Sequence, residues 1–233
     1  MENLYDSSYK STTGTSVLSM VMRKVYGRMF LALVVTALTS LYVASSPAIL
    51  SVVLGNRAVF FGLMIAELAV VFVVSGMLNK LSTTAATLLF YLYAVLNGVV
   101  FSSIFVVYDL GSIAYTFITA GVFGAMSVYG MVTKNDMTKF GSYCIMGLFG
   151  LIIASVVNIF VASSTLDWII SLFGVALFIG LTAWDTQKIK SAAYVTDPSQ
   201  TGKLATIGAL SLYLDFINLF LYLLRIFGGR SND

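Results

Sequence analysis

Three acidic residues lie inside long apolar runs of this sequence, and they are the residues best suited to chemistry. Asp215 and Glu67 stand near the middle of their runs, and Asp185 stands near the end of its run. A charged side chain at the centre of a membrane-spanning helix costs about 2.5 to 3.5 kcal/mol, so such residues face protein or water rather than lipid. Acids in this position are typical of sites that carry protons or cations.

Asp215 belongs to a polar stripe on the apolar run from 207 to 227. The polar residues of this run are spaced by four, three and four positions, which places them on one face of a helix. A helix of this length covers about 30 Å, the thickness of a bilayer's hydrocarbon core. Because a polar stripe cannot face lipid, we predict that this helix lies inside a bundle. The stripe consists of Ser211, Asp215, Asn218 and Tyr222.

Asp185 and Asp215 could meet if their helices tilt. Successive spans alternate in direction, so both acids lie in the same half of the membrane, and tilted helices would bring them together. Two carboxylates close together at low dielectric cannot readily both ionise, so the pair titrates as a unit. Such a pair can exchange a proton for a cation. The alternative for Asp185 is an interfacial acid paired with Lys188, one helical turn later.

Glu67 and Asn97 are further polar residues within predicted spans. Glu67 either lines a path for protons or cations, or is a structural residue that stays protonated and hydrogen-bonded to a neighbouring helix. Asn97, in the segment YAVLNGVVFSS, is predicted to support the fold through a hydrogen bond between helices.

The composition identifies a polytopic membrane protein. Of the 233 residues, 59% are hydrophobic and 10% are charged, whereas soluble domains have about 45 to 50% and about 25%. The net charge of +3 indicates membrane orientation rather than nucleic-acid binding. The sequence has no histidine and a single cysteine, so an internal disulfide is excluded and the commonest transition-metal ligand is missing. We expect no resident cofactor.

Hydropathy predicts seven spans that form one transmembrane domain over residues 27–228. A polar cytoplasmic segment, residues 1–26, precedes this domain, and a tail, residues 229–233, follows it. Most connections are short, including the one from 47 to 57, and only that from 187 to 206 is long, so no room remains for a soluble domain. The predicted spans are 27–46, 58–78, 85–107, 113–132, 143–162, 167–186 and 207–227.

Lysine and arginine residues are concentrated on one side of the predicted spans. Of the 13 basic residues, ten lie on the side of the amino terminus, and three, Arg57, Arg225 and Arg230, lie on the other side. Because cytoplasmic loops carry an excess of basic residues, the amino terminus is predicted to be cytoplasmic. Seven spans then place the carboxy terminus outside.

Five segments of the chain match a known family of membrane proteins. The most specific are GALSLYLDFINLFLYLLRIFG at 208–228 and LFIGLTAWDTQKIK at 177–190. Through these segments the chain resembles the Bax inhibitor-1 family, in its bacterial branch, over nearly its whole length. Weaker matches are YAVLNGVVFSSIFVVY at 93–108, GVFGAMSVYGMVTKNDM at 121–137 and MRKVYGRMF at 22–30.

The resemblance implies an all-α fold of seven transmembrane helices, with the last helix central and the other six around it in two layers of three. It also implies a calcium leak channel, in a bacterial inner membrane, that is gated by protons at a di-aspartyl sensor. Asp185 and Asp215 match this sensor, and two carboxylates make only a weak calcium site. Glu67 matches an acid on the conduction path. Bacterial relatives latch the closed state with an arginine at the end of the second helix, where the nearest basic residue here is Lys80.

Three other functions are alternatives to a channel. An accessory protein that binds another membrane protein, such as a membrane protease, is the alternative that the resemblance supports. An intramembrane aspartyl protease also uses two aspartates, but Asp215 stands in SLYLDF, without the Gly-x-Gly-Asp sequence of that class. A secondary transporter would have broken helices at paired positions, and the predicted spans contain no internal proline. We therefore expect a protein that is not an enzyme.

Reporter fusions test the predicted topology. A reporter at the amino terminus or within 187–206 should be cytoplasmic, and a reporter after Asp233 should be outside, because an odd number of spans separates the two ends. A cytoplasmic reporter at Asp233 would contradict the seven-span prediction.

Overall fold

The computed structural model of the protein describes residues 2–76 and 81–228, and the side chains of 16–73, 76 and 81–228. Helices make up 90% of the described residues. No strand occurs in these residues, which confirms the predicted all-α fold. The predicted tail, 229–233, lies outside them. The helices are α1 Glu2–Ala44, α2 Pro47–Gly55, α3 Arg57–Gly76, α4 Thr83–Phe101, α5 Ile104–Val107, α6 Leu110–Thr119, α7 Val122–Val132, α8 Thr138–Val161, α9 Ser164–Val195, the 3₁₀ helix Pro198–Gln200, and α10 Thr201–Phe227.

Six segments of the described chain are long and apolar enough to cross a membrane, and a bent pair of helices raises the number to as many as seven. The bent pair is α2 with Arg57–Val73 of α3, and its two helices meet at 83°. The predicted count of seven is met when this pair forms one span. The six segments are Ser16–Ala44, Thr83–Val107, Leu110–Val132, Thr138–Val161, Ser164–Val195 and Pro198–Phe227.

The prediction of a connecting loop from 47 to 57 is wrong, because α2 occupies most of it. Pro47 stands at the first position of this helix, where its fixed φ favours a helix and its missing N–H is not needed. Asn56 ends α2 with an extended backbone and accepts hydrogen bonds at Oδ1 from the N–H groups of Ala58 and Val59, at 3.0 and 3.3 Å. The chain therefore turns sharply at Asn56 and starts a new helix.

The long loop predicted from 187 to 206 is also mostly helical. Helix α9 continues to Val195, and α10 already begins at Thr201. Ile189 and Ala193, one turn apart, are buried, so packing extends α9 past the end of its apolar run. The turn comes at Asp197, whose helical conformation is disfavoured by the proline that follows it. Hydropathy thus marked the end of the apolar composition, not the end of the helix.

Two spans are interrupted without proline. The span 83–107 breaks at Ser102 and Ser103, whose hydroxyls donate to carbonyls three residues earlier at 2.7 and 2.9 Å, a bond that competes with the helix ladder. The span 110–132 breaks at Ala120 and Gly121, where the N–H of Gly121 donates to the carbonyl of Ile118 at 3.0 Å. The absence of proline therefore did not predict continuous helices.

The chain divides into two compact units, and the first contains described residues up to 106 together with 189–210. Within it, α1 and α4 approach closely. The Thr36 hydroxyl donates to the Ala94 carbonyl at 2.9 Å. A Cβ on Gly98 would lie 2.7 Å from the Thr36 carbonyl oxygen, so the approach of the two backbones depends on a residue without a side chain.

The second unit contains residues 107–188 and the described part of 211–233. Its core is the carboxy-terminal half of α10, which packs on α6 and α7 through aromatic rings and on α9 through Tyr222. The Tyr222 ring stacks on Phe178 at 5.9 Å between centroids and lies 2.6 Å from the position of a Cβ on Gly174. Phe216 of α10 contacts Phe117 and Phe123 edge to face.

Helix α10 is the most buried of the membrane-spanning segments that the structure describes. Of its most apolar window, 61% is buried, against 11% to 44% for the other five segments. This burial agrees with the prediction, made from the polar stripe, that the last helix is an inner helix.

Gly130 and Gly124 of α7 offer a matched test of this packing. A Cβ on Gly130 would overlap the carbonyl of Ala183 on α9, whereas a Cβ on Gly124 meets nothing within 4 Å. Gly130→Ala should destabilise the protein by about 1 to 3 kcal/mol, while Gly124→Ala should be neutral or stabilising by up to about 1 kcal/mol. Thermal unfolding in detergent measures both, and equal melting temperatures would contradict the described contact.

Candidate functional site

Asp185 on α9 and Asp215 on α10 lie close enough to interact electrostatically, and we call them the aspartate pair. The side chain of Asp185 lies close to that of Ser211, one turn before Asp215 on α10. Lys188, one turn after Asp185, interacts electrostatically with both carboxylates. The structure thus brings together both predicted sensor residues and one of the predicted supporting residues, Ser211.

The two members of the aspartate pair differ in exposure. Asp215 is 5% exposed, and its buried Oδ2 has no hydrogen-bond partner among the described residues. Asp185 is only partly buried, and Lys188 is exposed. The pair therefore extends from an enclosed oxygen to a side chain within reach of solvent.

The position of Asp185 is fixed by its neighbours on α9. The two residues before it and the two residues after it each contact α7, α8 or the turn between them. Asp185 therefore has little freedom to move along or around its helix, and its own side chain lies among Ser211, Lys188 and Asp215. The contacts are a 3.0 Å hydrogen bond of Thr186 with Ser127, the close approach of Ala183 to Gly130 and of Trp184 to Gly141, and the hydrogen bonds of Gln187.

Gln187 joins α9 to the turn between α7 and α8. Its Nε2 donates to the carbonyl of Asn135 at 2.7 Å, and its Oε1 accepts from the N–H of Met137 at 2.9 Å. Both groups of one side-chain amide are thus satisfied by the backbone of a single turn. This contact had no signal in the sequence, because Gln187 stands at the polar end of an apolar run like any solvated residue.

Cys144 is a neighbour of Asp215 that the sequence did not identify. Its thiol is buried and interacts electrostatically with Asp215, and it lies 3.3 Å from the position of a Cβ on Gly180. Cys144 stands in an apolar run of α8 and has no polar residue at helical spacing around it. Hydropathy therefore did not distinguish it from an apolar core residue.

Lys188 takes part in two interactions. Its Nζ lies 4.8 Å from the centroid of the Trp184 ring, a cation–π arrangement, and its charge acts on both aspartates. The alternative interpretation of Asp185, as the partner of Lys188, therefore describes part of its surroundings. It omits the contacts of Asp185 with Ser211 and Asp215.

Asn218, predicted to support the pair, bonds instead to its own helix. Its Nδ2 donates to the carbonyl of Leu214 at 2.8 Å. This bond stays within α10, and no hydrogen bond of the described residues joins Asn218 to Asp185 or Asp215.

Glu67 lies on α3 beside Tyr93 of α4. The two side chains interact electrostatically, and Asn97, one turn later on the same helix, lies beside the Tyr93 side chain. Tyr93 and Asn97 are 7% and 3% exposed, and Oε1 of Glu67 is buried without a partner among the described residues. Tyr93 and Asn97 are one helical turn apart in the sequence. This spacing could have identified Tyr93 as a neighbour of Asn97.

Lys80, the latch candidate, lies outside the described residues. Among the residues that are described, no group of three or more His, Cys, Asp or Glu side chains is arranged to hold a metal ion. A cation at the aspartate pair would therefore be bound by two carboxylates, the Ser211 hydroxyl, backbone carbonyls and water, which is a weak site for calcium.

Comparison with known proteins places the chain among bacterial membrane proteins. A family described as "Inhibitor of apoptosis-promoting Bax1" matches residues 18–232. The inner membrane protein YbhL of Escherichia coli is 49% identical over 213 residues, which cover 90% of this chain and 91% of YbhL. An uncharacterized protein of Borreliella burgdorferi is 47% identical over 91% of this chain and 93% of its own length. An uncharacterized protein of Rickettsia prowazekii is 43% identical over 96% and 95%.

Proposed function

The chain belongs to the Bax inhibitor-1 family of integral membrane proteins, and on that premise we propose that it is a calcium leak channel whose opening depends on the protonation of Asp185 and Asp215. Its relative YbhL is an inner membrane protein, and we propose the same location for this chain, with the amino terminus in the cytoplasm.

The observation that carries this proposal is the buried Oδ2 of Asp215, which has no hydrogen-bond partner among the described residues. An unsatisfied buried polar group costs about 1 to 3 kcal/mol, and more when it is charged. A second carboxylate beside it, that of Asp185, adds to this cost whenever both are ionised. A proton or a cation between the two relieves it, so the pair is suited to binding either one.

Protonation of the aspartate pair can open or close a path because the two carboxylates lie on different helices. When the pair carries a proton or a cation, its members attract; when both are ionised and bare, they repel. If the open and closed states differ tenfold in proton affinity, pH shifts their ratio by about 1.4 kcal/mol, or tenfold. That range is sufficient to regulate a leak.

Calcium passage requires binding that is weak enough for release. Two carboxylates and a hydroxyl offer few of the six to eight oxygen ligands that calcium takes in tight sites, which favours conduction over storage. Glu67, with a buried and unpartnered oxygen, is proposed as a further residue on the cation path.

Substitution of the aspartates tests the sensor. Asp215→Asn should remove the pH dependence of calcium flux, and Asp185→Asn should do the same, because neither variant keeps a pair of titrating groups. The double variant should be no worse than either single variant, since partners in one unit are not additive. The measurement is calcium uptake by proteoliposomes over a pH series, with a fluorescent indicator inside.

Asp167→Asn is the matched control for these variants. Asp167 is also on α9, but it is 52% exposed and pairs with Arg225 at 3.8 Å, so its loss should leave the pH profile unchanged. If Asp185→Asn keeps the wild-type profile while Asp215→Asn loses it, the pair is not the sensor and Asp185 is only the partner of Lys188. Wild-type protein without flux at any pH would refute the channel itself.

Glu67→Gln separates conduction from pH sensing. This substitution keeps the volume of the side chain and removes its charge, so calcium flux should fall while the pH midpoint and the melting temperature stay near the wild-type values. Flux at the wild-type rate would assign Glu67 to the structural role that the sequence left open.

A further inference from the structure

Arg28 lies at the centre of a polar cluster where α1, α4 and α10 meet. Its Nη1 donates to the carbonyl of Gly202 at 2.6 Å and to the hydroxyl of Thr206 at 2.5 Å. The Thr206 hydroxyl is also hydrogen-bonded to that of Thr87 on α4, at 3.0 Å. All of these residues belong to the first compact unit, and we call them, together with Tyr91, the Arg28 cluster.

The cluster is closely packed on the side of α4. A Cβ on Gly202 would lie 2.7 Å from Cγ2 of Thr83, so only glycine allows α10 to begin here. Tyr91 stands one turn after Thr87, and its side chain interacts electrostatically with Arg28. Thr83, Thr87 and Tyr91 thus lie on one face of α4, and this face contacts Gly202, Thr206 and Arg28.

The guanidinium has no acidic partner in the part of the chain whose side chains are described. Both acceptors of Nη1 are neutral, and no described residue accepts from the N–H groups of Nε and Nη2. Asp197, the acid nearest to Gly202 along the chain, is used elsewhere: hydrogen bonds from the hydroxyl and the backbone N–H of Ser199 lower the pKa of its carboxyl. Arg28 therefore carries a partly buried positive charge that protein carboxylates leave uncompensated.

Further basic residues are close to the members of this cluster along the chain. Lys24 precedes Arg28 by one helical turn, on the same face of α1, and Lys203 follows Gly202 on α10. The amino-terminal end of α10 adds the positive end of a helix dipole. A purely structural tie between α1 and α10 has no need of so many positive charges, since neutral donors would serve.

The cluster lies where the apolar segments of its helices begin. The apolar part of α1 follows Arg28, and that of α10 follows Thr206. Residues at this level stand at the height of lipid phosphates, on the face that the basic residues predict to be cytoplasmic. Basic pockets between transmembrane helices on that side bind anionic lipid head groups.

We propose that the Arg28 cluster binds the phosphate of an anionic phospholipid. The planar guanidinium offers parallel N–H groups that match two phosphate oxygens. Nη1 anchors the fork to α10, which leaves Nε and Nη2 for the lipid, and Lys24 and Lys203 add attraction for the head group. The lipid completes the charge balance of the site where three helices meet.

Lipid titration of the full-length protein in detergent tests this proposal by native mass spectrometry. Phosphatidylglycerol should bind more tightly than phosphatidylcholine. Because each basic residue near an anionic membrane surface contributes about fivefold in affinity, Lys24→Gln should weaken phosphatidylglycerol binding by about fivefold, and Arg28→Gln should weaken it by at least that much. The matched control is Lys134→Gln, which removes an exposed basic residue after α7 and should change nothing.

Three outcomes of these measurements decide whether the Arg28 cluster binds lipid. If Arg28→Gln is misfolded by its melting curve, Lys24→Gln gives the answer, because its substitution breaks no hydrogen bond of the described residues. Equal affinity of wild-type, Lys24→Gln and Lys134→Gln proteins for phosphatidylglycerol would reduce Arg28 to a structural tie. Displacement of the lipid by inorganic phosphate at the same concentration would assign the cluster to a soluble anion and overturn the lipid proposal.

Discussion

The carboxylate of Asp215 in the middle of a membrane-spanning helix is the constraint on which the arrangement around α10 depends. A charged or half-satisfied carboxyl cannot face lipid, so α10 has to be enclosed by protein along its polar face. The structure meets this requirement: Asp215 is 5% exposed, and α10 is the most buried of the described spans. The identity of one residue thus decides which helix lies inside.

Enclosure of α10 in the second unit requires close packing, and small residues provide it. Gly174 admits the ring of Tyr222, and Gly130 and Gly141 bring α9 against α7 and α8. Since apolar side chains gain little from leaving lipid for protein, contact between helices in a membrane depends on such close approach. The same contacts hold α9 in place and so determine where Asp185 stands relative to Asp215.

The sequence predicted the features that follow from composition and helical spacing: the all-α class, the apolar spans, the inner position of α10 and the pairing of Asp185 with Asp215. It could not predict features that depend on local backbone geometry or on contacts between distant segments. Hydropathy does not detect the helix after Pro47 or the extension of α9 to Val195. The approach of Cys144 to Asp215 depends on the packing of α8, which no periodicity in α8 reveals.

The charges that the described residues leave unpaired are more informative than the exposed ion pair of Asp167 with Arg225. Asp167 and Arg225 pair at 3.8 Å with both side chains well exposed, and an exposed pair of this kind contributes about 0 to 1 kcal/mol. Its presence therefore says little about function. Asp215, by contrast, is enclosed where an uncompensated charge is costly, and Arg28 is partly buried. Each has acceptors or donors that no described residue satisfies. We propose that a proton or a cation supplies the opposite charge at the acid, and that an anionic lipid supplies it at the base.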